Sequence, residues 1–202
     1  MRVRTAALTI LVAAAACFAH PTVDLGPTSP GVSVEATVAY YDVTANSLVD
    51  LRRALAQEGP SSQGRRWAAI TSWRLAWTYQ TRRGSLGCEI ERTHVRVTTN
   101  ITFPRWNPTS PPDSSLTAWW DQFNAGLAEH ERGHAQLAVK AAGQIVKTFD
   151  GMSGDLCDAL QQRATDVGTR LSSAMQSEQA EYDATTRHGQ TQILKVTRLQ
   201  TP

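Results

Sequence analysis

Residues 114–149 have the sequence SSLTAWWDQFNAGLAEHERGHAQLAVKAAGQIVKTF, and this stretch decides the fold class. Its apolar side chains recur at steps of three and four residues, the spacing of one face of an α-helix. They are Leu116, Trp119, Trp120, Phe123, Leu127, Leu137, Ala141 and Ile145. The pattern predicts one long amphipathic helix. The break at residues 151–154 then predicts a second helix from Asp155 to about Tyr182.

The residues before this stretch alternate instead of following a helical period. Period-two patterns over residues 32–40, 67–79 and 95–103 predict three strands. Leucines at 48, 51 and 55 predict a short helix that ends at Gly59-Pro60, and four prolines between 104 and 113 predict a loop. Strands followed by helices predict an α+β fold, with a small antiparallel sheet from the N-terminal half packed on long C-terminal helices.

The charge balance argues against nucleic acid as a partner. The 202 residues carry 20 Lys and Arg against 18 Asp and Glu, a net charge of +2. Two of the cations, Arg2 and Arg4, lie in a segment that we expect to be removed, which leaves no net charge. Affinity for nucleic acid rests on an excess of Lys and Arg that neutralises phosphates, and this chain has no such excess.

The N-terminus has the features of an export signal. A basic start at residues 1–4 precedes twelve uncharged residues, 5–16, a length typical of a signal peptide and too short for a transmembrane helix. We expect a signal peptide over 1–19, a linker over 20–31, a domain over 32–190 and a tail over 191–202. Lipidation of Cys17 is the alternative to simple cleavage, so the protein is expected to be secreted or periplasmic, free or lipid-anchored.

Removal or lipidation of Cys17 leaves two cysteines, Cys88 and Cys157. In an exported domain two cysteines are most simply joined as one disulfide. The alternative is a pair of buried free thiols.

The chemistry is expected at His130-Glu131-Arg132-Gly133-His134, an HExxH motif inside the long helix. Histidines four residues apart lie on the same helix face, so both imidazoles can bind one Zn²⁺. Glu131 is placed to take a proton from the attacking water as general base. The alternative is a pair of core histidines satisfied by hydrogen bonds, which would need several partners.

A catalytic zinc needs a third protein ligand. The downstream candidates are Glu178, Glu181, Asp183 and His188. His188 is the first choice, because Gly189 permits a tight turn that could direct its imidazole at the metal. Asp183 is then expected to orient a ligand, or to be the third ligand itself if the helix continues. Tyr182 could donate its hydroxyl to a developing oxyanion, or could be a half-buried packing residue.

Several short motifs occur in an order that resembles one protein family. They are YYDV at 40–43, GP at 59–60, AITSW at 69–73, WTY at 77–79, Cys88, FPRW at 103–106, HExxH at 130–134, Cys157 and YDxxTxHG at 182–189. The chain resembles the bacterial predicted secreted zinc-dependent proteases grouped as domain-of-unknown-function family 922. The resemblance implies a zincin-like metallopeptidase with His130, His134 and His188 on zinc and Glu131 as base.

These features together predict a zinc-dependent metalloendopeptidase that hydrolyses protein or peptide substrates. The substrate is expected to lie extended along an edge strand of the sheet. Two alternatives stay open: a zinc amidase acting on cell-wall peptides, and a non-catalytic zinc-stabilised envelope module in which the Trp-rich strand binds a partner.

Overall fold

A computed structural model describes residues 24–85 and 87–193. The predicted signal peptide over 1–19, the Cys17 lipidation site and residues 194–202 of the predicted tail lie outside the described residues. Within these described ranges, no helix is both long enough and apolar enough to cross a membrane.

A sheet of three long strands forms one layer of the molecule. β5, Gly87–Trp106, is the central strand, with β1, Val32–Val43, on one side and β4, Ile70–Gly84, on the other. A two-residue strand, β6 at Ser153–Gly154, pairs with the start of β5. A separate small hairpin consists of β2, Ser61–Ser62, and β3, Arg65–Arg66. The strands therefore come from the N-terminal half, apart from β6, and the predicted α+β class is confirmed.

The expectation of a wholly antiparallel sheet is wrong for one strand pair. β4 and β5 are antiparallel neighbours, whereas β1 runs parallel to β5. β1 and β5 are not consecutive in the chain, and a parallel pair needs the long intervening connection that they have. The register places Val34 opposite Val97 and Val38 opposite Ile101, so apolar residues of both strands share one face.

The loop predicted over 104–113 begins later than expected, because β5 continues through Pro104 to Trp106. The pairing of β4 with β5 ends at Thr102, so beyond that point only β1 lies beside β5. A proline is tolerated where a strand has a free side, since its missing N–H need not remove a ladder hydrogen bond.

Within the part of the chain that the structure describes, three helices complete the fold. α1 spans Leu48–Glu58, α2 spans Ser114–Phe149 and α3 spans Cys157–Thr186. The Asp113 side chain caps α2 by accepting a hydrogen bond from the Leu116 amide, which fits the change of period at that point. α3 continues four residues beyond the expected end near Tyr182, so both Tyr182 and Asp183 lie within it.

The inward face of the sheet packs against α2 and α3 in one apolar cluster. Val95, Val97, Ile145 and Phe149 are all fully buried there. The Phe149 ring meets the Tyr79 ring edge-on, with their centroids 5.6 Å apart. This packing holds the C-terminal part of α2 against β4 and β5, and a second cluster packs Leu127 and Ala135, which flank the HExxH motif, with Ile101 of β5.

The predicted disulfide between Cys88 and Cys157 is confirmed. It joins the start of β5 to the start of α3, with the two Cα atoms 5.2 Å apart. The bond closes a loop of 69 residues. On the chain-entropy model such a loop contributes about 4 kcal/mol before any native strain is subtracted.

Candidate metal centre

The two motif histidines lie one helical turn apart on the inward face of α2. His130 is buried, and its Nε2 atom lies 3.2 Å from the Nε2 atom of His134. Leu127, one turn before His130, and Ala135, directly after His134, are buried in an apolar cluster below them. The predicted placement of both imidazoles on one helix face is therefore observed.

Asp183 of α3 meets both histidines. Its Oδ1 atom lies 3.1 Å from His134 Nε2 and 3.3 Å from His130 Nε2. Among the described residues, these three donor atoms form a group within 4.8 Å of one another that could hold a metal ion. His188 lies beside this group and outside it, with Nδ1 3.4 Å from the same Asp183 oxygen.

The donor set fits zinc in type and in spacing. Zinc takes imidazole nitrogen and carboxylate oxygen at about 2.0–2.2 Å in tetrahedral geometry, so its ligand atoms are about 3.3 Å apart. The three separations observed here, 3.1, 3.2 and 3.3 Å, are close to that value.

Gln179 fixes the orientation of the His134 ring. Its Nε2 donates to the His134 carbonyl at 3.0 Å, so the amide oxygen must be the atom 2.5 Å from His134 Nδ1. An amide oxygen only accepts, which places the His134 proton on Nδ1. The Nε2 lone pair then faces His130 and Asp183 and is available to a metal.

Thr186 fixes the tautomer of His130 in a similar way. Its hydroxyl donates to the Tyr182 carbonyl at 2.7 Å and therefore accepts from His130 Nδ1 at 3.4 Å. Burial, followed by the neighbouring His134, lowers the pKa of His130 to about 4. The ring is therefore neutral at pH 7, the form that binds metals.

Glu131 is held by a residue from the sheet. The Thr71 hydroxyl of β4 lies 2.7 Å from Glu131 Oε2 and donates to it. Burial raises the pKa of Glu131 above its usual value, and the Thr71 hydrogen bond opposes part of that rise. A carboxylate with a raised pKa is a stronger base, as a proton acceptor in catalysis requires.

Tyr182 packs against the motif. Its ring stacks on the His130 ring with the centroids 5.2 Å apart, and its hydroxyl donates to the His130 carbonyl at 3.2 Å. Gly133 makes this approach possible, because a Cβ there would lie 2.1 Å from the Tyr182 oxygen. These contacts favour a positioning role for Tyr182; its predicted role at an oxyanion stays a prediction.

The chain turns sharply where α3 ends. Arg187 and His188 both have left-handed backbone conformations, with φ of 51° and 52°, and Gly189 follows with φ of 84°. A Cβ at Gly189 would lie 3.1 Å from the His130 ring, so the glycine serves close approach as well as the turn. The His188 ring, whose side chain is 45 % exposed, lies 4.7 Å from the Trp67 ring.

Gln179, Thr186 and Thr71 were not among the residues predicted for the site. Gln179, Asp183 and Thr186 are four and three residues apart, so one face of α3 carries all three. That spacing is a signal that could have identified Gln179 and Thr186 once Asp183 was a candidate. Thr71 carries no local signal, because its role depends on the packing of β4 against α2.

A cleft of about 340 Å³ opens over His130, Glu131, His134 and Asp183. Its other wall comes from residues 67–71, which lead into β4 and form its start. The candidate metal-binding residues therefore line one side of this cleft.

Comparison with known proteins gives a family and no closer relative. No curated protein and no solved structure matches the chain. A family model described as a bacterial protein of unknown function, DUF922, matches residues 38–189. That range includes the HExxH motif, Asp183 and the turn through Gly189. The chain therefore belongs to the DUF922 family.

Proposed function

We propose that this protein is a zinc-dependent peptidase whose metal is held by His130, His134 and Asp183. The observation that carries the proposal is the convergence of two imidazole nitrogens and a carboxylate oxygen within 3.1–3.3 Å of one another. A buried glutamate held by Thr71 lies beside them. Three protein ligands and a cleft on the remaining side are what a catalytic zinc site needs. A zincin-like architecture is part of the same proposal.

Asp183 is the third ligand in this proposal, and His188 is its neighbour. The Asp183 oxygen closes a triangle with both motif histidines, whereas His188 lies close to that oxygen and more exposed to solvent. His188 Nδ1 then contacts the carboxylate and helps to hold it in one orientation. The ligand set of His130, His134 and His188 predicted first is the competing assignment.

A zinc ion bound here would supply a Lewis acid for the scissile carbonyl and for the attacking water. Glu131 accepts one proton from that water as the new C–O bond forms, and returns it to the leaving amine as the C–N bond breaks. Thr71 keeps the Glu131 carboxylate directed at the cleft during both transfers. Gln179 and Thr186 keep the two imidazoles in the tautomers that leave Nε2 free.

The substrate is proposed to be an extended protein or peptide chain beside β4. Among the described residues, β4 pairs with β5 along one side only, and its other side has no strand beside it. A peptide could add to that edge through main-chain hydrogen bonds and pass over the metal. Thr71 and Trp73, both on the helix-facing side of β4, line the cleft.

The proposed location is the cell envelope or the exterior. The disulfide between Cys88 and Cys157 supports it, because such bonds persist in oxidising compartments. The basic start and apolar run of residues 1–16 support it as well.

The test is metal analysis combined with activity. The purified protein should contain one zinc per chain, should cleave denatured protein substrates, should lose activity to a chelator and should recover it with zinc. Muropeptides assayed in parallel distinguish an amidase, which would cleave them and leave proteins intact. A zinc-loaded protein that cleaves neither substrate would contradict the proposal and favour a non-catalytic module.

A further inference from the structure

The His130 imidazole packs against residues that are not proposed ligands. The Tyr182 ring stacks on it, with the centroids 5.2 Å apart and the ring planes 11° apart. Gly189 also lies against it, since a Cβ atom there would come within 3.1 Å of the ring. The Thr186 hydroxyl reaches His130 Nδ1 only at 3.4 Å, which is long for a hydrogen bond. The orientation of this imidazole therefore depends mainly on its ring contacts.

A chain of side-chain hydrogen bonds fixes the Tyr182 ring. The Tyr182 hydroxyl donates to the His130 carbonyl at 3.2 Å and accepts from Gln192 Nε2 at 3.1 Å. Because an amide nitrogen only donates, it leaves the phenol proton on the His130 carbonyl. The Oε1 atom of the same amide lies 3.1 Å from the Thr191 hydroxyl and accepts from it. Gln192 therefore determines the direction of the hydrogen bond that Tyr182 makes to the HExxH helix.

The turn that carries Gln192 is packed tightly against α2. A Cβ atom at Gly126 would lie 2.5 Å from the Cα atom of Ile193, and Ile193 packs in the apolar cluster that contains Leu127. The backbone amides of Gln192 and Ile193 both donate to the Gly189 carbonyl at 3.1 Å. The Gln192 residue is only 8 % exposed. Packing and backbone hydrogen bonds thus fix the position of its amide group.

Packing alone does not explain a glutamine at this position. A buried amide costs free energy unless its hydrogen bonds are made, and a methionine of similar size would fill the same space. Both ends of the Gln192 amide have partners, the hydroxyls of Thr191 and Tyr182. The polar contacts of this side chain, and not its volume, therefore distinguish it from a packing residue.

We propose that Gln192 is a positioning residue of the candidate metal centre, acting through Tyr182 on the His130 imidazole. This inference rests on the metal site of the proposed function and not on peptide hydrolysis. Gln192 holds the phenol on the His130 carbonyl, and the phenol ring holds the imidazole with Nε2 beside Asp183. The functional unit then extends through residue 193, beyond the predicted domain end at 190.

The test is a double-mutant cycle with zinc affinity as its readout. Competition with a chromophoric chelator gives the zinc affinity of the wild type, Gln192→Met, Tyr182→Phe and the double variant. Gln192→Met should weaken zinc binding by ~10-fold, the low end of the range for residues around a metal site, because it acts through Tyr182. In the Tyr182→Phe background the same change should have no further effect, because the hydroxyl that transmits it is gone. Equal losses in both backgrounds would overturn the proposal.

Gln192→Glu tests the direction of the hydrogen bond. The carboxylate has the shape of the amide but only accepts, so the phenol proton would turn from the His130 carbonyl to the new carboxylate. Zinc affinity should therefore fall at least as far as in Gln192→Met. If Gln192→Met does not fold, Gln192→Leu replaces it in the cycle. Wild-type zinc affinity in Gln192→Glu would refute the positioning role.

Gln190→Leu is the matched control, because Gln190 lies exposed in the same turn. It should change zinc affinity by less than about twofold, as expected of a surface substitution. A loss equal to that of Gln192→Met would show that any change in this turn disturbs the site, and would refute the specific role of Gln192.

The cycle also separates this inference from the peptidase proposal, since zinc affinity is measured without a substrate. Coupling between Gln192 and Tyr182 in a protein that binds zinc and hydrolyses nothing would refute the peptidase and retain the positioning role. Hydrolysis by a zinc-loaded protein without that coupling would refute the positioning role alone. A wild type that binds no zinc would refute both.

Discussion

The two helices that meet at the candidate metal centre contribute in different ways. α2 supplies His130, Glu131 and His134 from five consecutive residues, so the reactive groups come from one local motif. α3 supplies Gln179 and Asp183 from successive turns of one face. α2 thus supplies two proposed ligands and the proposed base, whereas α3 supplies the third proposed ligand, Asp183, together with Gln179, which orients His134.

Close packing of α2 against α3 brings the residues of the two helices together at the site. Tyr182 of α3 lies against Gly133 of α2, and the His130 ring lies against Gly189 just beyond α3. At both contacts one side is a glycine and the other a ring, so the backbone of one segment approaches the ring of the other. A methyl group at Gly133 would displace the Tyr182 ring, and one at Gly189 would crowd the His130 ring.

The largest expected effect on activity comes from removing the proposed base on α2 while every proposed ligand stays in place. Glu131→Gln should lower peptidase activity by at least ~10²-fold, because the amide cannot accept the proton. Zinc content should stay at one per chain, because Glu131 is not a ligand in this account. Steady-state kinetics and metal analysis of the same sample check both parts; loss of zinc, or full activity, would show that the role of Glu131 is wrong.

The second prediction is that the disulfide at the start of α3 affects stability and not zinc binding near the end of the helix. Cys157 lies 26 residues before Asp183, about 39 Å along the helix axis. The double variant Cys88→Ala, Cys157→Ala should therefore lower the free energy of unfolding by roughly 2–4 kcal/mol. Its zinc affinity under native conditions should stay within about threefold of the wild type. Denaturant unfolding and chelator competition measure these quantities, and a matching loss of zinc affinity would contradict the separation.

The third prediction changes the contact between the helices. In Gly133→Ala the new methyl group would overlap the Tyr182 hydroxyl, so the Tyr182 ring or the helices must shift, at a cost of roughly 1–3 kcal/mol. Gly143→Ala in the same helix is the control. Its new methyl would meet only the Ser29 side chain, at 3.3 Å, and alanine favours a helix by up to ~1 kcal/mol. Thermal unfolding of both variants measures the difference, and the melting temperature of Gly133→Ala should be the lower of the two. Equal melting temperatures would argue against a tight contact at Gly133.

The smallest expected effect comes from disturbing only the orientation of the His134 ring. Gln179→Leu should weaken zinc binding by ~10- to 100-fold, because His134 loses the acceptor that holds its proton on Nδ1. Gln176→Leu, exposed one turn earlier on α3, is the matched control and should leave zinc affinity unchanged. Chelator competition provides both values. Indistinguishable affinities in the two variants would show that Gln179 does not orient the ligand.

The difference between the helices also explains how much could be predicted from the sequence. α2 and its motif were predictable, because helical period and HExxH spacing are both local patterns. Gln179 could be identified only through its spacing from Asp183, since a glutamine on an amphipathic helix has the same local pattern whether it faces solvent or a histidine. The parallel pairing of β1 with β5 was not predictable either, because it joins residues such as Val34 and Val97 that are far apart in the chain. The disulfide was predictable because a predicted export signal left only two cysteines to pair.

Zinc affinity in three proteins, the wild type, Asp183→Ala and His188→Ala, is the sharpest test of the proposed ligand set. We expect one tightly bound zinc per wild-type chain, a loss of affinity of at least ~10³-fold in Asp183→Ala, and a loss of only ~10- to 100-fold in His188→Ala. Competition with a chromophoric chelator gives all three values under one set of conditions. A wild type without stoichiometric zinc would contradict the metal site. An Asp183→Ala variant that holds zinc better than His188→Ala would contradict Asp183 as third ligand and support a site of three histidines.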